Sequence, residues 1–203
     1  MTSRHRIIDE LYQVTPEPLD QRSGRFETSL SRLLCLSEEM VAAGRAARCA
    51  WLCLPAGSPT PQEVSALALE PRSSVHRLDR LCRIDGIPLI IEFATVPEFC
   101  FATARRVQGS LHAALAQGGF RPVRAVQRLR AITLEGEQAD RLGVHEATGG
   151  LLVERVSYLA DGRPIEFTRA YCRGDAVGLV VHLTAPDPWR GVPAPDTAGS
   201  QAP

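Results

Sequence analysis

Two strands of a predicted hairpin each carry one charged side chain on an otherwise apolar face. Side chains alternate between the two faces of a strand, so Arg80 and Glu92 both project among apolar neighbours. A buried charge needs a partner, and the two residues could form a structural ion pair. Alternatively they line a ligand pocket, where Arg80 would bind a carboxylate or phosphate and Glu92 would accept from a hydroxyl or amine. The other residues of the two faces are Leu78, Cys82, Ile84, Ile90, Ala94 and Val96.

A second predicted hairpin offers a similar face around Glu166. Besides the acid, this face carries Thr168, Ala170 and Cys172. Small side chains around one carboxylate suit the wall of a cavity, and the alternative is a strand face open to solvent. The pattern alone leaves both interpretations open.

The start of a predicted helix supplies two further candidates, Ser110 and His112. Ser110 is first of all a helix N-cap. The free backbone N–H groups of a helix start also attract anions, so Ser110 and His112 together could hold a phosphate or carboxylate. Because a single histidine is more often structural, His112 needs support from other residues.

The remaining residues predict no catalytic, metal or cofactor site. The sequence contains no Gly-x-Ser-x-Gly elbow, no phosphate-binding glycine loop and no His-Glu-x-x-His. Its six cysteines lack the paired spacing of a zinc site, and we expect all of them to be reduced thiols. They are Cys35, Cys49, Cys53, Cys82, Cys100 and Cys172.

An internal repeat positions the candidate residues. Residues 62–84 match residues 137–159 at a constant offset, which brings Arg80 onto Arg155, and an Asp-Gly-x-Pro segment follows in both halves, with one inserted residue in the second. Each half predicts a short helix, a turn, a strand, an Asp-Gly hairpin turn and a second strand. The fold class is therefore α+β, an antiparallel sheet with flanking helices. Apolar runs predict strands at 88–96, 123–134, 151–159, 164–172 and 177–184; Thr60, Ser37 and Ser110 mark helix starts.

Composition limits the partners and the location. The 203 residues carry 23 basic and 23 acidic side chains, and a domain that binds DNA by itself usually has an excess of basic charge. No apolar run is long enough to cross a bilayer and no signal peptide opens the chain, so we expect a cytoplasmic protein that binds neither nucleic acid nor membrane directly. Residues 1–25 are predicted to be a polar arm, 26–184 a folded domain and 185–203 a disordered tail rich in proline and alanine.

Several of these segments resemble the UTRA domain, the UbiC transcription regulator-associated effector domain of GntR regulators, in particular of their HutC branch. The resemblance covers roughly residues 30–183, and its most specific part is the last segment. The matching segments are Ser37 to Gly44, Pro61 to Leu69, Arg80 to Glu92 around the Asp-Gly turn, Ser110-Leu-His112, and Val156 to Asp175.

The resemblance implies a chorismate lyase-like fold with a ligand pocket, usually in a homodimer. Family ligands are small anions and polar metabolites, such as amino-sugar phosphates, trehalose phosphate, phosphonates and urocanate. The family's ligand-binding positions fall on Arg80, Glu92, Ser110 and Glu166. We also expect Tyr171, in the last matching segment, to line the ligand site. Three residues depart from the pattern: Cys82 replaces a second arginine, and His112 and Cys172 each replace a tyrosine. With one arginine fewer, a monoanionic or aromatic ligand or a phosphonate is at least as suitable as a dianionic phosphate.

Regulators of this family begin with a winged helix-turn-helix, for which the predicted arm is too short. The sequence therefore predicts a ligand-sensing effector domain without a DNA-reading half, which regulates transcription through dimer rearrangement. Two alternatives are a chorismate lyase-like enzyme and a dimerisation module whose ligand site has decayed.

Overall fold

The computed structural model describes residues 26–29, 47–70, 72–101, 107 and 109–181. Three short α-helices, a 3-10 turn at Glu98–Cys100 and eight strands make up the regular structure of this part of the chain. In chain order the α-helices and strands are β1 (Phe26–Ser29), β2 (Ala47–Cys53), α1 (Pro61–Leu67), β3 (Val75–Ile84), β4 (Ile87–Pro97), α2 (Leu111–Gln117), β5 (Arg124–Leu134), α3 (Gly136–Leu142), β6 (Thr148–Tyr158), β7 (Pro164–Arg173) and β8 (Val177–Val180).

Six of the strands form one antiparallel sheet in the order β2-β3-β4-β7-β6-β5. Strands β1 and β8 pair with each other in parallel as a separate two-stranded sheet. The α+β fold predicted from the sequence is confirmed, and so are its two hairpins, β3–β4 and β6–β7. Strand β8 ends at Val180, and residues 182–184 of the strand predicted at 177–184 lie outside the described residues.

The internal repeat is visible as two helix–hairpin units, α1-β3-β4 and α3-β6-β7, whose returning strands β4 and β7 pair at the centre of the sheet. Both returning strands have one extra residue directly after a proline. In the first hairpin Cys82 pairs with Ile90 and Arg83 pairs with Pro88, so Leu89 has no residue opposite it on β3. In the second hairpin Ile165, directly after Pro164, has no residue opposite it on β6. Proline has no N–H to give to a ladder, so a bulge is a position where it is tolerated.

Two of the three predicted helix starts lie in the described residues, and both begin a helix. Thr60 closes a capping box with Glu63, with proline at the first helical position, and Ser110 caps α2. Helix α1 packs against β7 and α3 against β4 on one face of the sheet. Helix α2 lies on the other face, where Leu111 and Leu115 are buried in the cluster that contains Leu78 and Val96 of the sheet. Helices α1 and α3 therefore lie on one face of the sheet and α2 on the other, and the face under α2 carries Arg80.

The expectation that all cysteines are reduced thiols is wrong for two of them. Cys49 and Cys82 form a disulfide, because they lie directly opposite each other on β2 and β3 with their Cα atoms 4.3 Å apart. Cys100 and Cys172 are free and buried. Burial raises the pKa of each of these two thiols to about 12, which keeps both protonated near neutral pH.

Several predictions fall outside the described residues: the helix at Ser37, the arm at 1–25 and the tail at 185–203. Those domain boundaries stay predictions. Within the described ranges, no helix has the length and apolar character needed to cross a membrane, and no three histidine, cysteine or acidic side chains gather as metal ligands.

Candidate functional site

The candidate site lies on the sheet face under α2, where each row of paired residues contributes side chains from neighbouring strands. One row runs from Trp51 through Arg80, Glu92 and Ala170 to Val153. The adjacent row joins Leu78, Ala94, Thr168 and Arg155. Strand alternation therefore brings the charged residues of both hairpins onto one buried surface.

In the first row, Arg80 and Glu92 form a buried ion pair. Arg80 Nη2 donates to Glu92 Oε2 at 2.7 Å, and the two residues are 2% and 3% exposed. The ring of Trp51 lies over the guanidinium, with Arg80 Cζ 4.1 Å from the ring centroid. Glu92 Oε1, the other carboxylate oxygen, is buried and has no hydrogen-bond partner among the described residues. The pair is thus a structural ion pair that still has one acceptor to offer.

The second buried carboxylate, Glu166, is surrounded on both oxygens. Ser157 Oγ donates to Oε2 at 2.6 Å, and His112 Nε2 lies 2.8 Å from the same oxygen. Thr168 Oγ1 donates to Oε1 at 2.9 Å, while Arg155 Nη2 is 3.8 Å from it. Because an ionised carboxylate only accepts, the His112 ring nitrogen is the donor in its hydrogen bond.

The surroundings of Glu166 decide its protonation. Burial alone would raise the pKa of this carboxyl, because desolvation disfavours the charged form. The charges of His112 and Arg155, with hydrogen bonds from His112 and Ser157, outweigh burial and hold the pKa of Glu166 well below its ordinary value. Glu166 is therefore a fixed anion, and it anchors the groups around it.

Small side chains separate the two networks. Ala94 is 1% exposed and Ala170 is 7% exposed, and they lie in adjacent rows between the Arg80–Glu92 pair and Glu166. The start of α2 stands over this surface, since His112 contacts Glu166 and the indole Nε1 of Trp51 donates to the carbonyl of Gly109 at 2.6 Å. The open strand face considered for the second hairpin is excluded, because Glu166, Thr168 and Cys172 are all buried.

The structure brings together most of the predicted site residues. Arg80, Glu92 and Glu166 lie on the sheet face under α2, and His112 contacts Glu166 from α2 itself. Ser110 stands at the start of α2, where its Oγ accepts from the Ala113 N–H at 3.0 Å, so its hydroxyl is engaged as an N-cap.

The three remaining predicted residues are placed differently. Cys82 is on this face but is bonded to Cys49. Cys172 is also on it, fully buried as a thiol near Glu92. Tyr171 is on the opposite face, edge-on to Phe93 with ring centroids 5.8 Å apart. Neighbouring residues of a strand point to opposite faces, so Tyr171 does not share the surface of Glu166.

Sequence reasoning missed three residues of the site: Trp51, Arg155 and Ser157. For Arg155 a signal existed, because the repeat aligns it with Arg80. Ser157 follows from Arg155 by strand alternation. Trp51 lies on β2, for which no strand was predicted, so its place over Arg80 had no signal.

The sequence profile of the UTRA domain matches residues 42–177, which is more than half of the chain. The chain belongs to the UTRA domain family. The matched range contains both helix–hairpin units of the repeat, α2 and every residue of the candidate site.

Named relatives of this UTRA domain are transcriptional regulators. The HTH-type transcriptional repressor NagR of Bacillus subtilis strain 168 is 25% identical over 165 residues, which cover 78% of this chain and 67% of NagR. The effector domain of PhnF from Mycobacterium smegmatis superposes with a TM-score of 0.72 at 24% identity, over 79% of this chain and 100% of that domain. A third similar structure is the ligand-binding domain of a GntR-family regulator from Bordetella bronchiseptica. It superposes with a TM-score of 0.60 at 26% identity, over 64% of this chain and 84% of that domain.

These comparisons identify the fold as that of GntR effector domains. Membership of the UTRA family supports a regulatory role that depends on sensing a ligand.

Proposed function

We propose that this chain is the ligand-sensing domain of a GntR regulator of the HutC type, and that a small anionic metabolite binds to the sheet face under α2. The observation that carries the proposal is the buried Oε1 of Glu92, which has no hydrogen-bond partner among the described residues. Leaving a buried acceptor unsatisfied costs about 1–3 kcal/mol. A ligand hydroxyl or amine that donates to this oxygen would remove that penalty.

The charges on this surface favour an anion. Arg80 and Arg155 with His112 face two carboxylates, Glu92 and Glu166, and both carboxylates already have cationic neighbours. An anionic group of the ligand could contact the two guanidinium groups while a hydroxyl or amine of the same ligand donates to Glu92. The indole of Trp51, next to the same row, adds an apolar surface that an aromatic or alkyl group could contact.

The start of α2 is the element through which binding would be sensed. Among the described residues, Trp51 contacts Gly109 and His112 contacts Glu166, and both contacts join the start of α2 to the sheet. A ligand inserted between them would change these contacts and so favour one arrangement of a homodimer over another. A ligand shifts such an equilibrium only by its difference in affinity for the two arrangements.

The test is thermal unfolding of the purified chain with amino-sugar phosphates, trehalose phosphate, alkyl phosphonates, urocanate and chorismate. One class should raise the melting temperature in a dose-dependent way, because a ligand at 100 times its Kd adds about 2.7 kcal/mol. Light scattering of the same samples should report a dimer. If no class raises the melting temperature, the proposed ligand chemistry is contradicted; consumption of chorismate would indicate the enzyme instead.

The informative variant replaces both partners of the ion pair, as in Arg80→Met with Glu92→Leu. Exchanging a buried pair for apolar residues of similar size is often neutral, whereas Arg80→Ala alone would leave Glu92 buried without its cation. The double variant should keep the melting temperature and lose the ligand response. Arg130→Ala, at an exposed ion pair with Glu154, is the matched control and should keep both.

A further inference from the structure

The disulfide between Cys49 and Cys82 lies one row from the candidate site, on the same face of the sheet. Residue pairing places Cys49 opposite Cys82 and Trp51 opposite Arg80, and each pair is separated from the other by two residues along both strands. Side chains two residues apart on a strand share a face. The covalent bond is therefore next to the contact between the Trp51 ring and the Arg80 guanidinium.

Strand β2 depends on few contacts for its position. It is an edge strand of the six-stranded sheet, and among the described strands it pairs with β3 alone. Edge elements with limited pairing open locally at lower free energy than central strands. The disulfide closes this edge covalently, and Trp51 links the same strand to the carbonyl of Gly109 at the start of α2.

We propose that Cys49 and Cys82 are a reversible dithiol–disulfide couple that fixes or releases β2, and with it the position of Trp51 over Arg80. The oxidised form holds Trp51 against Arg80 and Gly109, and the reduced form lets the edge strand and the indole move. Control of ligand binding by this couple rests on the proposed function, but the couple and its effect on Trp51 do not.

The two cysteines differ in access, which sets the order of the reaction. Cys49 is half-buried at the sheet edge and Cys82 is 1% exposed. The Cys49 thiolate attacks one sulfur of a small-molecule disulfide such as oxidised glutathione, and the first small thiol leaves. The Cys82 thiol then loses its proton and attacks the Cys49 sulfur, and the second small thiol leaves. Two protein thiols and one small disulfide thus become one protein disulfide and two small thiols.

The two free cysteines that the structure describes are poor competitors for this chemistry. Cys100 and Cys172 are buried, and burial raises the pKa of each thiol to about 12. Both thiols therefore remain protonated near neutral pH. Because the thiolate is the reactive form, they exchange slowly with disulfides. Cys172 also lies two strands away from Cys82, with β4 between β3 and β7.

The experiment equilibrates the full chain with reduced and oxidised glutathione at set ratios, without any ligand. Thiol counting and mass spectrometry of the digested protein should find one cross-link, Cys49 to Cys82, that forms with loss of two thiols and reopens under reducing ratios. A Trp189→Phe background leaves Trp51 as the remaining tryptophan of the two. Its emission should shift to longer wavelength, with stronger quenching by acrylamide, when the cross-link opens.

Variants separate this couple from other effects. Cys49→Ser should show the reduced-state emission at every glutathione ratio, and Cys100→Ala, which keeps both bridging residues, should respond as the parent does. If Cys49→Ser does not fold, Cys82→Ala takes its place, and the parent measurement still decides. A cross-link that never forms, one that glutathione cannot reopen in the folded protein, or a Trp51 emission that is equal in both states would each overturn the proposal. Since no ligand is present, none of these outcomes depends on the proposed function.

Discussion

The two halves of the repeat place an arginine at equivalent points of the same sheet face and give it different carboxylates. In the first half Arg80 lies opposite Glu92, and the two make a single contact of 2.7 Å. In the second half Arg155 lies opposite Thr168, and the acid has moved two residues along the strand to Glu166, 3.8 Å from the guanidinium. The displaced acid is held by Ser157, Thr168 and His112 instead.

This difference shows how one folding unit can serve two purposes. The acid opposite its arginine, Glu92, keeps an oxygen without a partner among the described residues, whereas the displaced acid, Glu166, accepts on both oxygens and ties three elements together. In the proposed function, the first half offers a group to a ligand, and the second half secures the surface on which the ligand would lie. Removing a residue from each half should have different consequences.

The largest effect is expected from Glu166→Ala. It leaves Arg155, Ser157 and Thr168 buried without their shared acceptor, and breaking a buried ion pair by removing one partner costs about 3–5 kcal/mol. Urea unfolding would measure the loss. Glu154→Ala on β6, whose partner Arg130 has a side chain that is 61% exposed, is the control and should change stability by less than about 1 kcal/mol. Similar losses for both variants would contradict the anchoring role of Glu166.

Acid should weaken the protein through Glu166 and Glu63. Burial would raise the pKa of Glu63, but hydrogen bonds from Arg77, Thr60 and Thr95 lower it from 4.5 to about 2; the pKa of Glu166 is lowered as well. A carboxyl whose pKa is lower in the folded than in the unfolded protein stabilises the fold. This stabilisation is fully present above the pKa of the unfolded state and is lost as the pH falls below that pKa. Unfolding in urea at pH 7, 5, 4 and 3 should therefore show the fall beginning near pH 4.5.

Two matched variants test how much of the acid sensitivity comes from each half of the repeat. Glu63→Gln removes the contribution from the α1 unit and Glu166→Gln the contribution from the β6–β7 hairpin, so each should flatten part of the pH dependence. A dependence that is unchanged in both would show that other carboxylates cause it.

A smaller and equal effect is expected at the two hairpin turns. Gly86 and Gly162 have φ values of +83° and +87°, and no atom lies within 4 Å of the point where an alanine methyl group would stand. Gly86→Ala and Gly162→Ala should each destabilise the protein by about 1 kcal/mol, because only glycine adopts this backbone conformation without strain. Gly149→Ala, which has open space and no positive φ, should be near neutral in the same thermal measurement. Unequal losses at the two turns would show that the turns are not equivalent.

How much the sequence could predict depended on whether the signal was local. The Asp-Gly turns, the Thr60 capping box and the alternation that places Arg80 and Glu92 on one face are written in neighbouring residues, and the structure has all of them. Arg155 was within reach through the repeat. The expectation that Tyr171 and Cys172 both line the pocket is wrong for Tyr171, because consecutive strand residues point to opposite faces.

The remaining features depend on which strands meet. The bond between Cys49 and Cys82 and the place of Trp51 over Arg80 both follow from the register of β2 against β3. That register joins residues about 30 positions apart, and no local pattern specifies it.

The pairing of β1 with β8 has a consequence for the order of folding. Its partners, such as Phe26 and Val177, are about 150 residues apart, and closing a loop of that length costs about 4 kcal/mol of chain entropy. The hairpins close over a few residues, and their strands are 10 or 11 residues long, whereas β1 and β8 have four residues each. The short parallel pair is therefore the last part of the strand framework to form and the first to open, so the two ends of the domain separate while its centre is still intact.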